Sequence, residues 1–346
     1  MNVQTPKKLL PKDYATDQDV RWCPGCGDYA ILRGVQKALA DMGADPANTV
    51  FVSGIGCAAR FPYYVATYGF HTIHGRAPAI ATGVKLANPH LTVFVVGGDG
   101  DGLSIGGNHT MHAIRRNVDI NYLLFNNEIY GLTKGQYSPT SRLGTRSPST
   151  PTGSIDPPVS ALQFAMGANA RFIARTIDRR QDHMPGIIAR AAAHKGCSFV
   201  EIIQNCIVYN DGAFDSFAEK DVKDEQQLEL QHGKPMIYGK AKNKGIRFNP
   251  KTMSLEAVTI GENGITADDI IVHDETNRML AVMLCQLEPP HFPVPIGVLY
   301  CNPAPKPYED AVWAQIATAK EKLKGKPADL NAMLRKGATW TVAASS

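Results

Sequence analysis

Residues 91–134 read LTVFVVGGDGDGLSIGGNHTMHAIRRNVDINYLLFNNEIYGLTK, and this stretch decides the fold. It opens on Leu91–Val96, a β-branched apolar run too short to span a membrane, which predicts a buried parallel strand. The run stops at Gly97-Gly98-Asp99-Gly100-Asp101-Gly102, where close backbone approach costs little. A helix over Leu103–Arg116 and a second buried strand over Ile120–Phe125 follow, and the strand ends in Asn126-Asn127. Strand, glycine turn, helix and strand form a βαβ unit with its polar residues at the carboxyl ends of the strands. In open α/β sheets that edge binds ligands.

Asp99 brings a carboxylate to this edge and Asn127 an amide oxygen. Hard cations such as Mg²⁺ take oxygen ligands and fill their other positions with water or phosphate oxygens. The glycine turn leads into a helix N-terminus, which offers free N–H groups to an anion. Alone, such a turn reads as a sharp helix start with Asp99 as N-cap. The asparagine pair after the next strand favours a Mg²⁺-bridged diphosphate site.

Upstream, Trp22-Cys23-Pro24-Gly25-Cys26-Gly27 presents two thiols on one turn, spaced to ligate a metal centre. Half of a zinc knuckle and a thiol redox pair are the alternatives. A helix over Tyr29–Met42 carries apolar residues at helical spacing, and Thr49–Ser53 reads as another buried strand. Gly54-Ile55-Gly56-Cys57 lies at its carboxyl end, so Cys57 shares the edge with Asp99 and Asn127, and Arg60 follows closely. A short strand through 71–74 leads to His74-Gly75-Arg76 at a strand-to-helix turn, before a helix over Pro78–Asn88.

Residues 128–157 form a long Ser-, Thr-, Pro- and Gly-rich loop, expected to act as an active-site lid, with Lys134 among its cations. Two αβ units, with helices near 158–168 and 184–195 and strands at 171–177 and 198–204, are expected to complete the sheet. Cys206 lies at the carboxyl end of the last strand and Cys197 at its start, so Cys206 is the thiol that can join Cys23, Cys26 and Cys57. By count, four thiolates suit tetrahedral zinc and an iron–sulfur cluster equally. Cys197, Cys285 and Cys301 are expected to be buried apolar residues.

Composition narrows the classes further. In the 346-residue chain, 44% hydrophobic residues imply a real core, and a net charge of +4 without a basic run argues against nucleic-acid binding. With no apolar run of about 18 residues, no membrane span is expected. The N-terminus has no apolar stretch of signal-peptide length, so a cytoplasmic protein is expected. Seven cysteines in that context point to metal, redox or core roles rather than disulfides.

The GDG at 98–100 followed by NN at 126–127 resembles the thiamine diphosphate (ThDP) motif of ThDP-dependent enzymes. With CPGCG, GIGC, HGR and NNEIYGLTKGQ in order, residues 15–210 resemble the β subunits of 2-oxoacid:ferredoxin oxidoreductases. The resemblance implies an α/β, parallel-sheet ThDP-binding fold, with an N-terminal arm (1–20), a core carrying the cluster ligands (21–210) and a C-terminal extension (211–346) that covers the core or contacts a partner. It implies Mg²⁺ held by Asp99, Asn127 and the Ile129 carbonyl. The diphosphate would be lined by Ile55, Gly56, His74, Gly98, Gly100, Asp101, Asn127, Leu132 and Thr133. A 4Fe–4S cluster would be held by Cys23, Cys26, Cys57 and Cys206.

The implied reaction is oxidative decarboxylation of a 2-oxoacid to acyl-CoA and CO₂, with electrons passing through the cluster to ferredoxin. An α subunit would supply the activating glutamate, and coenzyme A would accept the acyl group. Motif wording favours 2-oxoglutarate, with pyruvate the runner-up, and Arg60 and Lys134 are the candidate anchors for substrate carboxylates, Arg60 alternatively bridging to the α subunit or to acidic surface. The rival reading is a non-redox ThDP decarboxylase whose cysteines hold structural zinc. Lys7, Lys8, Lys12 and Arg21 precede the CxxC turn and are candidates for steering an acidic ferredoxin.

Overall fold

The computed structural model describes residues 9–323 and 329–343. Lys7 and Lys8 lie outside the described residues. The strands are β1 (Thr49–Ser53), β2 (Tyr68–His71), β3 (Thr92–Gly98), β4 (Asn121–Asn126), β5 (Ile129–Tyr130), β6 (Gln136–Tyr137), β7 (Phe172–Ile177), β8 (Ser198–Ile203), β9 (Gln227–Leu230), β10 (Ile237–Tyr238), β11 (Lys244–Asn249), β12 (Ser254–Thr259) and β13 (Val294–Cys301). Eight of them form one sheet in the order β2-β1-β3-β4-β8-β7-β13-β9. The first six run parallel, while β13 is antiparallel to β7 and parallel to β9, so the sheet is mixed and mostly parallel.

Alternation along the central strands builds a core on each face. Val50, Val52, Val93, Val95, Tyr122 and Leu124 pack to one side, against α2 (Ala77–Ala87), α3 (Gly107–Arg116) and α4 (Ala161–Gly167). Phe51, Phe94, Val96, Leu123 and Phe125 pack to the other, against α1 (Asp28–Met42) and α5 (Met184–Ala193). There the Phe51 and Phe94 rings stack at 4.8 Å between centroids, both fully buried. In register, Ser53 pairs with Val96, Gly98 with Phe125, and Asn126 with Ile203. The segments after β1, β3, β4 and β8 therefore leave the sheet side by side.

The sequence-derived elements recur with small shifts of their ends, and the departures have physical causes. The helix expected from Leu103 is split into a π-helical turn, Asp101–Ile105, and α3 from Gly107. The wider turn is closed by Gly106 N–H donating to the Asp101 carbonyl at 3.0 Å, and such turns favour functional sites. The expected lid is an ordered loop: β5 and β6 pair as a hairpin, and Gly144 and Thr145 pair with Ser154. Nor is the core sheet confined to residues 21–210. β9 and β13 come from the region read as an extension and complete the sheet, because β7 would otherwise leave an unpaired apolar edge. Strands β10–β12 form a separate small antiparallel sheet. Among the described residues no helix is long and apolar enough to cross a membrane.

Because Phe94 fills the centre of the α1/α5 face, Phe94→Ala should cost about 3–5 kcal/mol. Chemical denaturation of the variant checks this, and a loss below about 1 kcal/mol would contradict the packing described.

Candidate active site

The site forms where β1, β3, β4 and β8 end. Asp101 ties its loops together. Its Oδ1 accepts from Gly75 N–H at 2.9 Å, from Ile55 N–H at 3.2 Å, and meets His74 Nδ1 at 3.1 Å. The 54–57 and 74–76 turns are thus fastened to the π-helical turn by one buried carboxylate. Burial pushes the Asp101 carboxyl above the usual range, and the two N–H donors and His74 oppose that shift. Position 54 tolerates nothing larger than glycine, since a Cβ there would lie 1.8 Å from Asp101 Oδ2.

Asp99 is buried to 2% exposure, and burial raises its carboxyl pKa. Its Oδ2 accepts from the Ser138 hydroxyl and from Thr140 Oγ1 at 2.6 Å, both delivered by the 128–157 loop. Thr140 Oγ1 also reaches Asn126 Oδ1 at 2.9 Å, and Asn126 Nδ2 donates to Glu201 at 2.7 Å. Glu201 in turn pairs with Arg175 at 2.7 Å. Asn126 is therefore committed to the sheet side, and Asn127 is the asparagine that faces the cavity.

That cavity, about 50 Å³, is lined by Ile55, Gly56, His74, Gly98, Asp99, Gly100, Asp101, Asn127, Ile129, Leu132 and Thr133, together with Asp28, Cys57 and Tyr130. Every residue expected at the diphosphate and the cation thus lies on one wall system. A carboxylate, an amide oxygen and a main-chain carbonyl there make the donor set a hard dication takes. The glycines keep the wall close: a Cβ at Gly100 would fall 2.1 Å from the Tyr130 ring. Among the described residues no glutamate lines this cavity.

A second cavity of about 230 Å³ adjoins it, lined by Cys23, Cys26, Cys57 and Cys206 with Trp22, Asp28, Asn127, Gly131, Leu132 and Gln204. The CxxC turn is fixed to both other cysteine loops. Trp22 Nε1 donates to the Cys57 carbonyl at 2.7 Å, and Gly27 N–H donates to the Asn205 carbonyl at 3.1 Å. The Cys57 and Cys206 sulfurs lie 3.5 and 3.6 Å from where a Cβ on Gly131 would sit, and among the described residues no three His, Cys, Asp or Glu side chains are placed to hold one metal ion. Burial pushes the Cys57 thiol up to about 12, with the Asp28 carboxylate and the other thiols adding to it. Burial also raises Cys26 and Cys206, and for Cys206 the N–H groups of Tyr209, Val208 and Asn210 oppose the rise. Such thiols ionise only beside compensating positive charge, which a metal centre supplies.

Arg60 and Lys134 line this second cavity and not the first. Arg60 Nε donates to the Tyr64 hydroxyl at 2.9 Å, and its guanidinium lies over the Tyr63 and Tyr64 rings. It also faces a surface pocket of about 260 Å³ lined by Asp17 and Asp19. Cys197 and Cys285 are buried and Cys301 is half-buried, all away from the site. Of the residues expected to steer a partner, Lys12 is exposed, and Arg21 pairs with Asp19 at 3.4 Å while lining the second cavity.

Four buried positions that contact the expected site residues were not singled out from sequence. Ser138 and Thr140 sit in a loop already crowded with hydroxyls, which hides them. Asp28 and Gln204 carried a signal, adjacency to the CxxC turn and to Cys206. Asp28 is 2% exposed, lines both cavities, and its Oδ2 has no hydrogen-bond partner. Burial raises the Asp28 carboxyl to about 7, against the opposing Cys26 contact.

Residues 54–202 match the family described as thiamine pyrophosphate enzyme, C-terminal TPP binding domain. The chain is 44% identical over 333 residues to the 2-oxoglutarate oxidoreductase subunit KorB of Mycobacterium tuberculosis, covering 96% of this chain and 88% of the relative. It is 47% identical over 198 residues to the β subunit of 2-oxoacid:ferredoxin oxidoreductase 1 of Aeropyrum pernix, covering 57% of this chain and 62% of that one. Its fold matches a chain of the 2-oxoglutarate:ferredoxin oxidoreductase of Magnetococcus marinus, solved with 2-oxoglutarate, coenzyme A and succinyl-CoA bound. That match has a TM-score of 0.74 and 33% identity, covering 96% of this chain and 97% of the other. With a mostly parallel sheet that carries the ThDP motif at its carboxyl edge, the chain belongs to the β subunits of the 2-oxoacid:ferredoxin oxidoreductases, an oxidoreductase family.

Proposed function

We propose that this chain binds ThDP, Mg²⁺ and a 4Fe–4S cluster and, with an α subunit, oxidises 2-oxoglutarate to an acyl-CoA and CO₂, passing electrons to ferredoxin. One observation carries the reading: the two cavities share Asp28, Cys57, Asn127, Gly131 and Leu132 as a common wall. An electron leaving one centre meets the other across a single layer of residues.

On the cofactor side, Asp99, the Asn127 amide oxygen and the Ile129 carbonyl would hold Mg²⁺. Ile55, Gly56, His74, Gly98, Gly100, Asp101, Leu132 and Thr133 would line the diphosphate. Asp101 Oδ1 is engaged by Gly75, Ile55 and His74, so its side chain holds the loops, and its backbone is what it can offer an anion. When bound, ThDP supplies the carbanion chemistry that releases CO₂ from a 2-oxoacid. An α subunit would supply the activating carboxylate, which the chain's place among the β subunits supports.

On the cluster side, Cys23, Cys26, Cys57 and Cys206 would be the ligands. Their place against the cofactor cavity, where carbanion chemistry needs an electron acceptor, supports a cluster over one zinc ion. Arg60 and Lys134 line this side, so a dicarboxylic substrate reaching across from the cofactor would find cations for its distal carboxylate. The names of the Mycobacterium tuberculosis and Magnetococcus marinus relatives support 2-oxoglutarate. Lys12 and Arg21 would help steer ferredoxin to the cluster.

Assayed with its partner subunit, coenzyme A and a panel of 2-oxoacids, the protein should show its highest kcat/KM on 2-oxoglutarate. A preference for pyruvate would overturn the substrate assignment. Arg60→Ala should raise KM for 2-oxoglutarate roughly tenfold or more, the worth of one charge-assisted hydrogen bond, and leave KM for pyruvate little changed. Equal effects on the two substrates would remove Arg60 from that role. Thr140→Ala strips a donor from Asp99 and should weaken Mg²⁺-dependent ThDP binding about 10–100-fold in titration calorimetry, as loss of an outer-shell partner does. Wild-type affinity would count against Asp99 as the cation's carboxylate.

A further inference from the structure

We infer that Gln204 is a positioning residue that joins the two centres, fixing the face Asn127 turns to the cation while donating a hydrogen bond to the cluster ligand Cys26. The inference rests on the Mg²⁺ and cluster assignments of the proposed function and adds a residue to them. Gln204 lies just past β8 and is 1% exposed. Its backbone N–H donates to the Asn126 carbonyl at 2.9 Å, which extends the β4–β8 pairing and holds the residue in register.

The side-chain amide reaches both cavities at once. Gln204 Nε2 donates to Cys26 Sγ at 3.2 Å and to the Asn205 carbonyl at 2.6 Å, while Oε1 accepts from Asn127 Nδ2 at 2.7 Å. Both Nε2 hydrogens are committed, so the oxygen has to face Asn127. A flipped amide would set Nε2 against Asn127 Nδ2 and an oxygen against a thiolate, two repulsive contacts in a buried place.

The orientation passes to Asn127. With Nδ2 held by Gln204, its Oδ1 turns away, accepting from Ile129 N–H at 3.1 Å and keeping a lone pair for a cation. An amide rotamer fixed in this way presents oxygen, never nitrogen, to the metal. At the other end, an N–H···S bond stabilises the electron-rich reduced cluster and so raises its reduction potential. One side chain therefore sets metal affinity on one side and electron affinity on the other.

Two substitutions separate these effects in the protein purified anaerobically with its partner subunit. Gln204→Met keeps the bulk and removes both interactions. The Mg²⁺ concentration for half-maximal ThDP binding should rise about 10–100-fold, and the cluster midpoint in an EPR-monitored redox titration should shift negative. Gln204→Glu still accepts from Asn127 Nδ2 but has no N–H for Cys26. Its Mg²⁺ requirement should return to the wild-type value while its midpoint stays below wild type.

Wild-type midpoint and wild-type Mg²⁺ requirement in Gln204→Met would overturn the inference, as would an unshifted midpoint in Gln204→Glu. Should the methionine variant not fold, Gln204→Leu, equally neutral and without an N–H, decides through its midpoint, because the added charge of the glutamate lowers the midpoint by itself. A wild-type protein without a cluster, or with Mg²⁺-independent ThDP binding, would instead strike the underlying assignments.

Discussion

A carboxylate almost wholly removed from water has to be matched by donors or by a cation, and much of this chain is arranged to satisfy Asp99. Removing an ion from water costs several kcal/mol unless partners replace the solvent. The partners arrive from far along the chain, as the Ser138 and Thr140 hydroxyls of a loop that would otherwise have no reason to fold back. Neutral hydroxyls stabilise the carboxylate without neutralising it, and leave it able to serve a cation. The loop is held besides by its own hairpin, by its pairing at residues 144–154 and by the Arg142–Glu128 ion pair.

The same economy governs the cysteine side. Four thiols lie around a space walled partly by apolar side chains, where burial, with the Asp28 carboxylate adding to it, raises Cys26, Cys57 and Cys206. Trp22 and Gly27 pin the CxxC turn to the loops bearing Cys57 and Cys206, so four cysteines from three segments form a single frame. Asp28, with one oxygen unpartnered and exposed to neither solvent nor donor, stands between the cavities. A buried, unpartnered acceptor of that kind is satisfied by a proton or a donor, and burial raises the Asp28 carboxyl accordingly.

The sequence was most legible where local chemistry dictates local structure. Leu91–Val96, the GGDGDG turn and Asn126-Asn127 are contiguous signals, and the parallel sheet, its carboxyl edge and the shared wall follow from them. The placement of Cys57 and Cys206 needed only strand polarity. What stayed hidden depends on contacts made far apart in sequence: Thr140 on Asp99, Asp101 across three turns, Gln204 between Asn127 and Cys26. The region beyond residue 210 read as a covering extension because its apolar runs are short and interrupted. Yet Val294–Cys301 is a buried strand of the main sheet, and its partners β7 and β9, rather than its own periodicity, keep it there.

The central claim is that a redox cluster sits one wall away from the ThDP site. Metal analysis and EPR of the anaerobically purified protein, before and after dithionite, test it most directly. The account predicts a brown protein with iron and sulfide at the stoichiometry of one 4Fe–4S cluster per chain, bleached on reduction with the appearance of a paramagnetic signal. A colourless protein carrying stoichiometric zinc would contradict it.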